Sequence, residues 1–421
     1  MTQIRNLKTG IKYKDTPIGK IPVNWEVQRL GDLCISQPEY GANVSAIDKD
    51  NNLPRYIRIT DVSEDGRLFT STWKSIKKEV AQPYMLQEGD FLFARSGATV
   101  GKAYLYKKKD GECAFAGYMI RFKPNPHQLL PEFLFQYAHS NYYYNWVKGI
   151  LRSGAQPNIN AQEYSDMLIP NPPLGEQKRI AEILITVDQA IEKTAQIIEK
   201  TKEAKKGLMK RLLTRGIGHK KSKKTEIGEI PEGWKGGRLS DIAYIIMGQS
   251  PPGSTYNTKG VGCPILNGPT KFTNYYPIPI QFTARTTKVC KAHDILFCVR
   301  GSSTGRMNIA DKEYCIGRGL AAIRERSIGN TKYIYYMLIS LTPKIFREAS
   351  GAGSTFQTIS GKALEEIKIV IPPLKEQKQI AEILSSIDAE IEKESSHKEQ
   401  LESLKKGLMQ VLLTGKIRVK V

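Results

Sequence analysis

The segment PPLGEQKRIAEILITVDQAIEK, Pro172 to Lys193, returns almost unchanged as PPLKEQKQIAEILSSIDAEIEK, Pro372 to Lys393. Further along, KKGLMKRLLT from Lys205 answers to KKGLMQVLLT from Lys405, still at an offset of 200 residues. An offset that never slips means one continuous unit written twice. Fainter matches precede each copy. TPIGKIPVNWEVQRLGDL from Thr16 pairs with TEIGEIPEGWKGGRLSDI from Thr225, and GDFLFARSGATVGK from Gly89 with HDILFCVRGSSTGR from His293. The unit is therefore a globular lobe followed by a long helix. Between these anchors the lobes share little sequence, so they share a fold and differ in surface.

Short runs such as RYIRIT, DFLFA, KAYLY, DILFCV and IKIVI read as strands punctuated by Gly, Pro and Asn. PEFLFQYAHSNYYYNWV and TKYIYYMLISLTPKIF read as helices. The fold class expected is α+β: two mixed lobes joined by two long antiparallel helices forming a coiled coil, with an internal pseudo-two-fold repeat. The segments are 1–171 for the first lobe and 172–215 for the central helix. A basic linker with the second lobe follows over 216–371, and the C-terminal helix covers 372–421.

Each helix carries a seam with steps of four and three, the heptad signature. In the first, Ile180, Leu184, Val187, Ile191, Ile198, Leu208 and Leu212 are its apolar members, with Thr194, Thr201 and Lys205 between them. In the second, they are Ile380, Leu384, Ile387, Ile391, Leu401, Leu408 and Leu412, with Glu394, Lys398 and Lys405. An antiparallel register sets Ile180 against Leu412, Leu184 against Leu408, Ile191 against Leu401 and Leu208 against Leu384. The Pro-Pro pair, with Glu176 or Glu376 in the first turn, starts each helix. A pairing of about 35 residues is ~50 Å long and spans on the order of 15 base pairs of B-DNA. The helices are read as a ruler. Packing of each helix on its own lobe is the other reading.

The chain has 421 residues, 40% of them hydrophobic, which suits two or more folded domains. Its net charge of +21 fits a polyanionic partner, nucleic acid first. A solvated basic surface is the alternative. The opening MTQIRNLKTGIKYKDTP has no apolar core, and no apolar run approaches a membrane span, so a cytoplasmic location with no membrane partner is expected. The six cysteines form no CxxC and sit near no histidine at ligand spacing, which favours reduced thiols over zinc or disulfides.

Several motifs invite catalysis and do not carry it. NPPL at Asn171 resembles the NPPY-type signature of adenine methyltransferases, but its repeat is IPPL and no glycine-rich methyl-donor loop accompanies it. GATVGKA at Gly97 resembles a phosphate loop with three residues between glycines instead of four, and Ala103 has no hydroxyl for magnesium. A tight turn presenting Arg95, Ser96 and Lys102 to a DNA backbone, and Arg300, Ser303 and Arg306 in the second lobe, is one reading. A plain hairpin is the other. Gln156, Asn158 and Gln357, in the loops before the helices, have amides suited to adenine edges, though they equally suit local turn capping. NYYYNW at Asn141 reads as core packing or as a stacking platform. His127, His139, His219, His293 and His397 are scattered, and no catalytic residue and no metal site is expected.

On PPLGEQKRIAEIL and PPLKEQKQIAEIL, the two KKGLM stretches with LLT, and the IGKIPVNW and IGEIPEGW openings, the sequence resembles the specificity subunit of type I restriction-modification systems. The resemblance covers nearly the whole chain. It implies two target-recognition domains, each reading half of a bipartite site on double-stranded DNA, with the helices fixing the spacer. It implies a non-enzymatic subunit with no cofactor of its own. Its partners would be two modification subunits that methylate adenine with S-adenosylmethionine, and restriction subunits that use ATP and Mg. The alternative function is a basic coiled-coil adaptor that binds protein without reading DNA sequence.

Overall fold

A computed structural model describes residues 12–151, 157–269, 272–273, 276–350 and 358–420. The chain divides into two compact units, Met1–Ala195 with Ser396–Val421, and Gln196–Ser395. Each unit holds one lobe and half of each long helix, α1 (Leu174–Arg215) and α2 (Leu374–Leu412). By sequence the helices are segments of their own, 172–215 and 372–421. Here each helix is split between the units, because its ends are built into the lobe cores.

Lobe 1 is organised on an antiparallel sheet of β1 (Glu39–Tyr40), β2 (Phe91–Ala94), β3 (Ala103–Leu105) and β4 (Met119–Phe122), in the order β1-β4-β2-β3. Lobe 2 repeats that order with β5 (Ala243–Met247), β6 (Ile295–Cys298), β7 (Met307–Ile309) and β8 (Leu320–Glu325), as β5-β8-β6-β7. Phe93 pairs with Ile120 in one sheet and Phe297 with Ala321 in the other. The second sheets differ. Arg55–Ile57 runs parallel to Cys113–Phe115 as a pair in lobe 1, whereas the corresponding parallel pair in lobe 2 belongs to five strands.

The repeated words have a structural reason. Trp25 and Trp234, from the two IP-x-x-W openings, are fully buried. Trp25 Nε1 donates to Glu176 Oε2 at 3.3 Å and Trp234 Nε1 to Glu376 Oε2 at 2.8 Å. The next residue of each motif holds the lobe's connecting loop. Gln177 Oε1 accepts from Leu130 N at 2.8 Å and Gln377 Oε1 from Asn330 N at 3.0 Å. Their amides donate to the carbonyls of Gln128 and Ile328 at 2.8 and 3.0 Å. The chain beyond each helix supplies a further partner. Arg418 Nε donates to Glu176 Oε2 at 2.8 Å, while His219 Nε2 lies 2.8 Å from Glu376 Oε1. Buried amides and carboxylates must be satisfied, so these Glu-Gln pairs are fixed points of the fold. The acid of each first turn does more than meet the helix dipole.

Ile180, Leu184 and Leu412 are buried in the core of lobe 1, with Leu408 packed against it. Leu212, Ile380 and Leu384 occupy the core of lobe 2, with Leu208 alongside. Val187, Ile191, Ile387, Ile391 and Leu401 are half-buried, and Thr194 and Ile198 are buried. Toward the helix middles the contacts turn ionic. Lys405 Nζ lies 2.6 Å from Asp188 Oδ1 in the first unit, and Lys205 Nζ lies 2.5 Å from Asp388 Oδ1 in the second. Both lysines are seam positions by sequence, and their acids, Asp188 and Asp388, lie far off in the chain.

NYYYNW falls in the helix Asn141–Ile150, capped by the Ser140 hydroxyl. Tyr143 is wholly buried, 5.8 Å from the Phe93 ring, and its hydroxyl donates to Gly101 O at 2.7 Å. That segment packs the core. Asn171 of NPPL receives Gln177 Nε2 at 2.7 Å and serves the helix start. The six cysteines are free thiols. Burial pushes Cys34, Cys113 and Cys290 up to about 12, far from a reactive thiolate.

Candidate nucleic-acid interface

Two hairpin turns, β2 to β3 and β6 to β7, hold the charged residues singled out in the sequence. Their backbones follow one plan. Gly101 N donates to Ala94 O at 3.0 Å, and Gly305 N to Cys298 O at 2.9 Å. A 3-10 turn follows in each, Gly97–Thr99 and Gly301–Ser303. Gly97 and Gly301 have φ of +71° and +76°, and Gly101 and Gly305 +89° and +87°. These are left-handed values that a β-carbon would strain. At Gly101 a β-carbon would also meet Val147 side-chain carbons at 3.1 Å. The glycine spacing that resembles a phosphate loop is thus turn geometry, and Ala103 is buried in β3.

The segment ahead of each long helix lies beside its turn. Ile159 N donates to Arg95 O at 2.8 Å, and Ile359 N to Val299 O at 2.9 Å. Ser96 bridges to Asn158 and Arg300 to Thr358. So the structure brings Arg95, Ser96 and Asn158 together in lobe 1. Arg300, Ser303 and Arg306 share the turn of lobe 2. Arg300, Arg306 and Asn158 are exposed; Ser96 and Ser303 are half-buried. Gln156 and Gln357 lie outside the described residues. Among the described residues no group of His, Cys, Asp and Glu could hold a metal ion, and no helix is long and apolar enough to cross a membrane.

Lys102 is tied into its own lobe. Its side chain is only 15% exposed, with Nζ 3.0 Å from Glu64 Oε1 and donating to Val62 O at 3.2 Å. The stem is buried, and the ammonium meets a carboxylate that is itself exposed. In this structure its ammonium is engaged within its own lobe, by Glu64 and the Val62 carbonyl. Its repeat partner Arg306 keeps an exposed guanidinium, with one 3.4 Å bond to Phe272 O. By strand register, too, Ala94 answers to Cys298, so Ser96 occupies the place of Arg300. Arg95 stacks over the Tyr40 ring, 4.7 Å from its centroid. Tyr40 and Tyr118 escaped the sequence reading, because they sit in stretches with no recognisable counterpart in the second lobe.

A chain made of two lobes on one strand plan, each locked to a long helix and presenting a polar turn, is a duplicated protein with one mounting and two surfaces. The family model for the type I restriction modification DNA specificity domain matches it twice, over residues 22–203 and 231–403. Each match takes in one lobe and much of its helix. The chain is 40% identical to a protein of Methanocaldococcus jannaschii named as the MjaX type I restriction enzyme specificity subunit, over 97% of both chains. It is 30% identical to the MjaVIII specificity subunit of the same organism, over 95% of both. A chain from a solved type I restriction-modification system is 26% identical, with a TM-score of 0.57, over 94% of this chain and 99% of that one. The S subunit from M. genitalium shares the fold at a TM-score of 0.61 and 15% identity, over 92% and 96% of the two chains. The chain belongs to the type I restriction-modification family of DNA specificity subunits.

Proposed function

We propose that this chain reads a bipartite DNA site, one half with each lobe, and takes no catalytic part itself. The observation that carries the reading is the pair of turns: one backbone plan, used twice, with different side chains on it. A protein that needed two identical contacts would have kept both lobes alike. The net charge of +21 supports a polyanionic target. The two long helices, paired antiparallel as a coiled coil, set the gap between half-sites and dock two modification subunits. The reciprocal ion pairs Asp188–Lys405 and Lys205–Asp388 support that direction of pairing, since charged pairs within a seam specify register. Restriction subunits complete the complex. S-adenosylmethionine, ATP and Mg serve the partner subunits, and the complex works in the cytoplasm.

The test is a methylation map of random DNA exposed to the chain together with its modification subunits, beside a binding isotherm at several salt concentrations. The expected map shows two specific half-sites at one fixed gap, and affinity that falls steeply with salt through counterion release. Methylation without sequence preference, or binding indifferent to salt, would instead favour a protein-binding adaptor.

A further inference from the structure

Five positions around the turns hold the same backbone place in both lobes and carry different chemistry. Tyr40 pairs with Ile120 across from Phe93, and Met247 pairs with Ala321 across from Phe297. Arg95 N donates to Tyr118 O and Val299 N to Gly319 O, each at 3.0 Å. The bridges from Ser96 to Asn158 and from Arg300 to Thr358 complete the set. Tyr40, Arg95, Ser96, Tyr118 and Asn158 of lobe 1 thus answer to Met247, Val299, Arg300, Gly319 and Thr358 of lobe 2.

Within that set Arg95 is unlike the other arginines. Arg58, Arg121 and Arg324 are committed to Asp61, Glu39 and Asp294. The Arg95 guanidinium carbon lies over the Tyr40 ring, its Nε is buried without a partner, and its two Nη groups make no hydrogen bond or ion pair among the described residues. Tyr40 is itself fixed, its hydroxyl accepting from Ala161 N at 3.1 Å. Tyr40 is 43% exposed, and exposed Tyr118 and Asn158 lie on the backbone segments beside the turn. A stacked guanidinium has lost rotamer freedom before binding and presents one fixed edge of two donors. That edge matches the O6 and N7 acceptors of guanine in the major groove. A phosphate needs no fixed plane, and the exposed Arg300 and Arg306 suit it.

We infer that Arg95, held on Tyr40, reads a guanine in the half-site of lobe 1, and that lobe 2 has no counterpart of this contact. The inference rests on the proposed reading of a bipartite site. Wild-type chain, Arg95→Ala, Arg95→Lys and Arg95→Gln, each assembled with the modification subunits, would be mapped on DNA randomised across both half-sites, with unfolding followed in parallel. Arg95→Ala should relax a guanine preference at one position of one half-site by about tenfold to a hundredfold, leaving the other half-site and the gap intact. Arg95→Gln should move the preference there toward adenine, which a merely structural role would not do. An equal loss of methylation on all sequences, or a wild-type preference retained by all three folded variants, would overturn the inference. A wild-type map without two half-sites would overturn the underlying reading instead, and the inference with it.

Discussion

The two lobes repeat each other most closely where they meet the helices and least where their turns face outward. At the helix starts, Trp25, Glu176 and Gln177 are matched by Trp234, Glu376 and Gln377, with the same atoms bonded. At the turns the backbone is again the same, yet Tyr40 and Arg95 give way to Met247 and Val299. Buried polar groups tolerate no loss of partner, which keeps the first set alike. The second set is free to differ without harm to the fold. What the molecule conserves between its halves is the mounting, and what it varies is the surface mounted.

That contrast is open to breaking. Removing the buried indole, Trp25→Ala or Trp234→Ala, should cost about 3–5 kcal/mol, typical of an aromatic cavity. Calorimetry of the two variants should show the loss confined to the unit that carries the change. Equal destabilisation of both units by either variant would mean the mountings are not independent.

A smaller effect separates the two mountings. Glu176→Gln leaves Arg418, mostly buried, without its carboxylate, and should cost about 1–3 kcal/mol. Glu376→Gln leaves an amide that can still accept from Trp234, and should cost about 1 kcal/mol. Denaturant titration of the two variants would measure the difference, and a larger loss at Glu376 would reverse our ranking.

Smaller still is the effect expected at the cations of the two turns. Lys102→Met removes a partly buried cation paired with exposed Glu64, costing up to ~1 kcal/mol of stability, without altering the salt dependence of DNA binding. Arg306→Met should leave stability nearly unchanged, weaken binding to all sequences alike, and reduce the salt slope by about one. Identical slopes for both variants would show that Arg306 contacts no phosphate.

The sequence read alone yields the duplication and the lobe-helix unit, because repeats are local patterns. It misses what Glu176 and Gln177 hold, since their partners Trp25, Leu130 and Arg418 are distant in the chain. It does not find the partners of Lys102, because a lysine in a glycine-rich turn says nothing of Glu64 and Val62, far off in the chain. Tyr40 lies in a stretch with no recognisable repeat, and its closeness to Arg95 is a product of the sheet.

The claim that two lobes read two half-sites while the helices set the gap has one direct test. Seven residues inserted into each helix, near Ala195 and Ser395, keep the heptad phase and with it the pairing. They lengthen each helix by roughly 10 Å, about 3 base pairs along a duplex, over which B-DNA turns by about 100°. Methylation of random DNA by this variant with its modification subunits is the measurement. The original site should be lost, and any site recovered should keep both half-sites across a longer gap. A folded variant that still methylates the original site, at its original gap and with normal efficiency, would contradict the account.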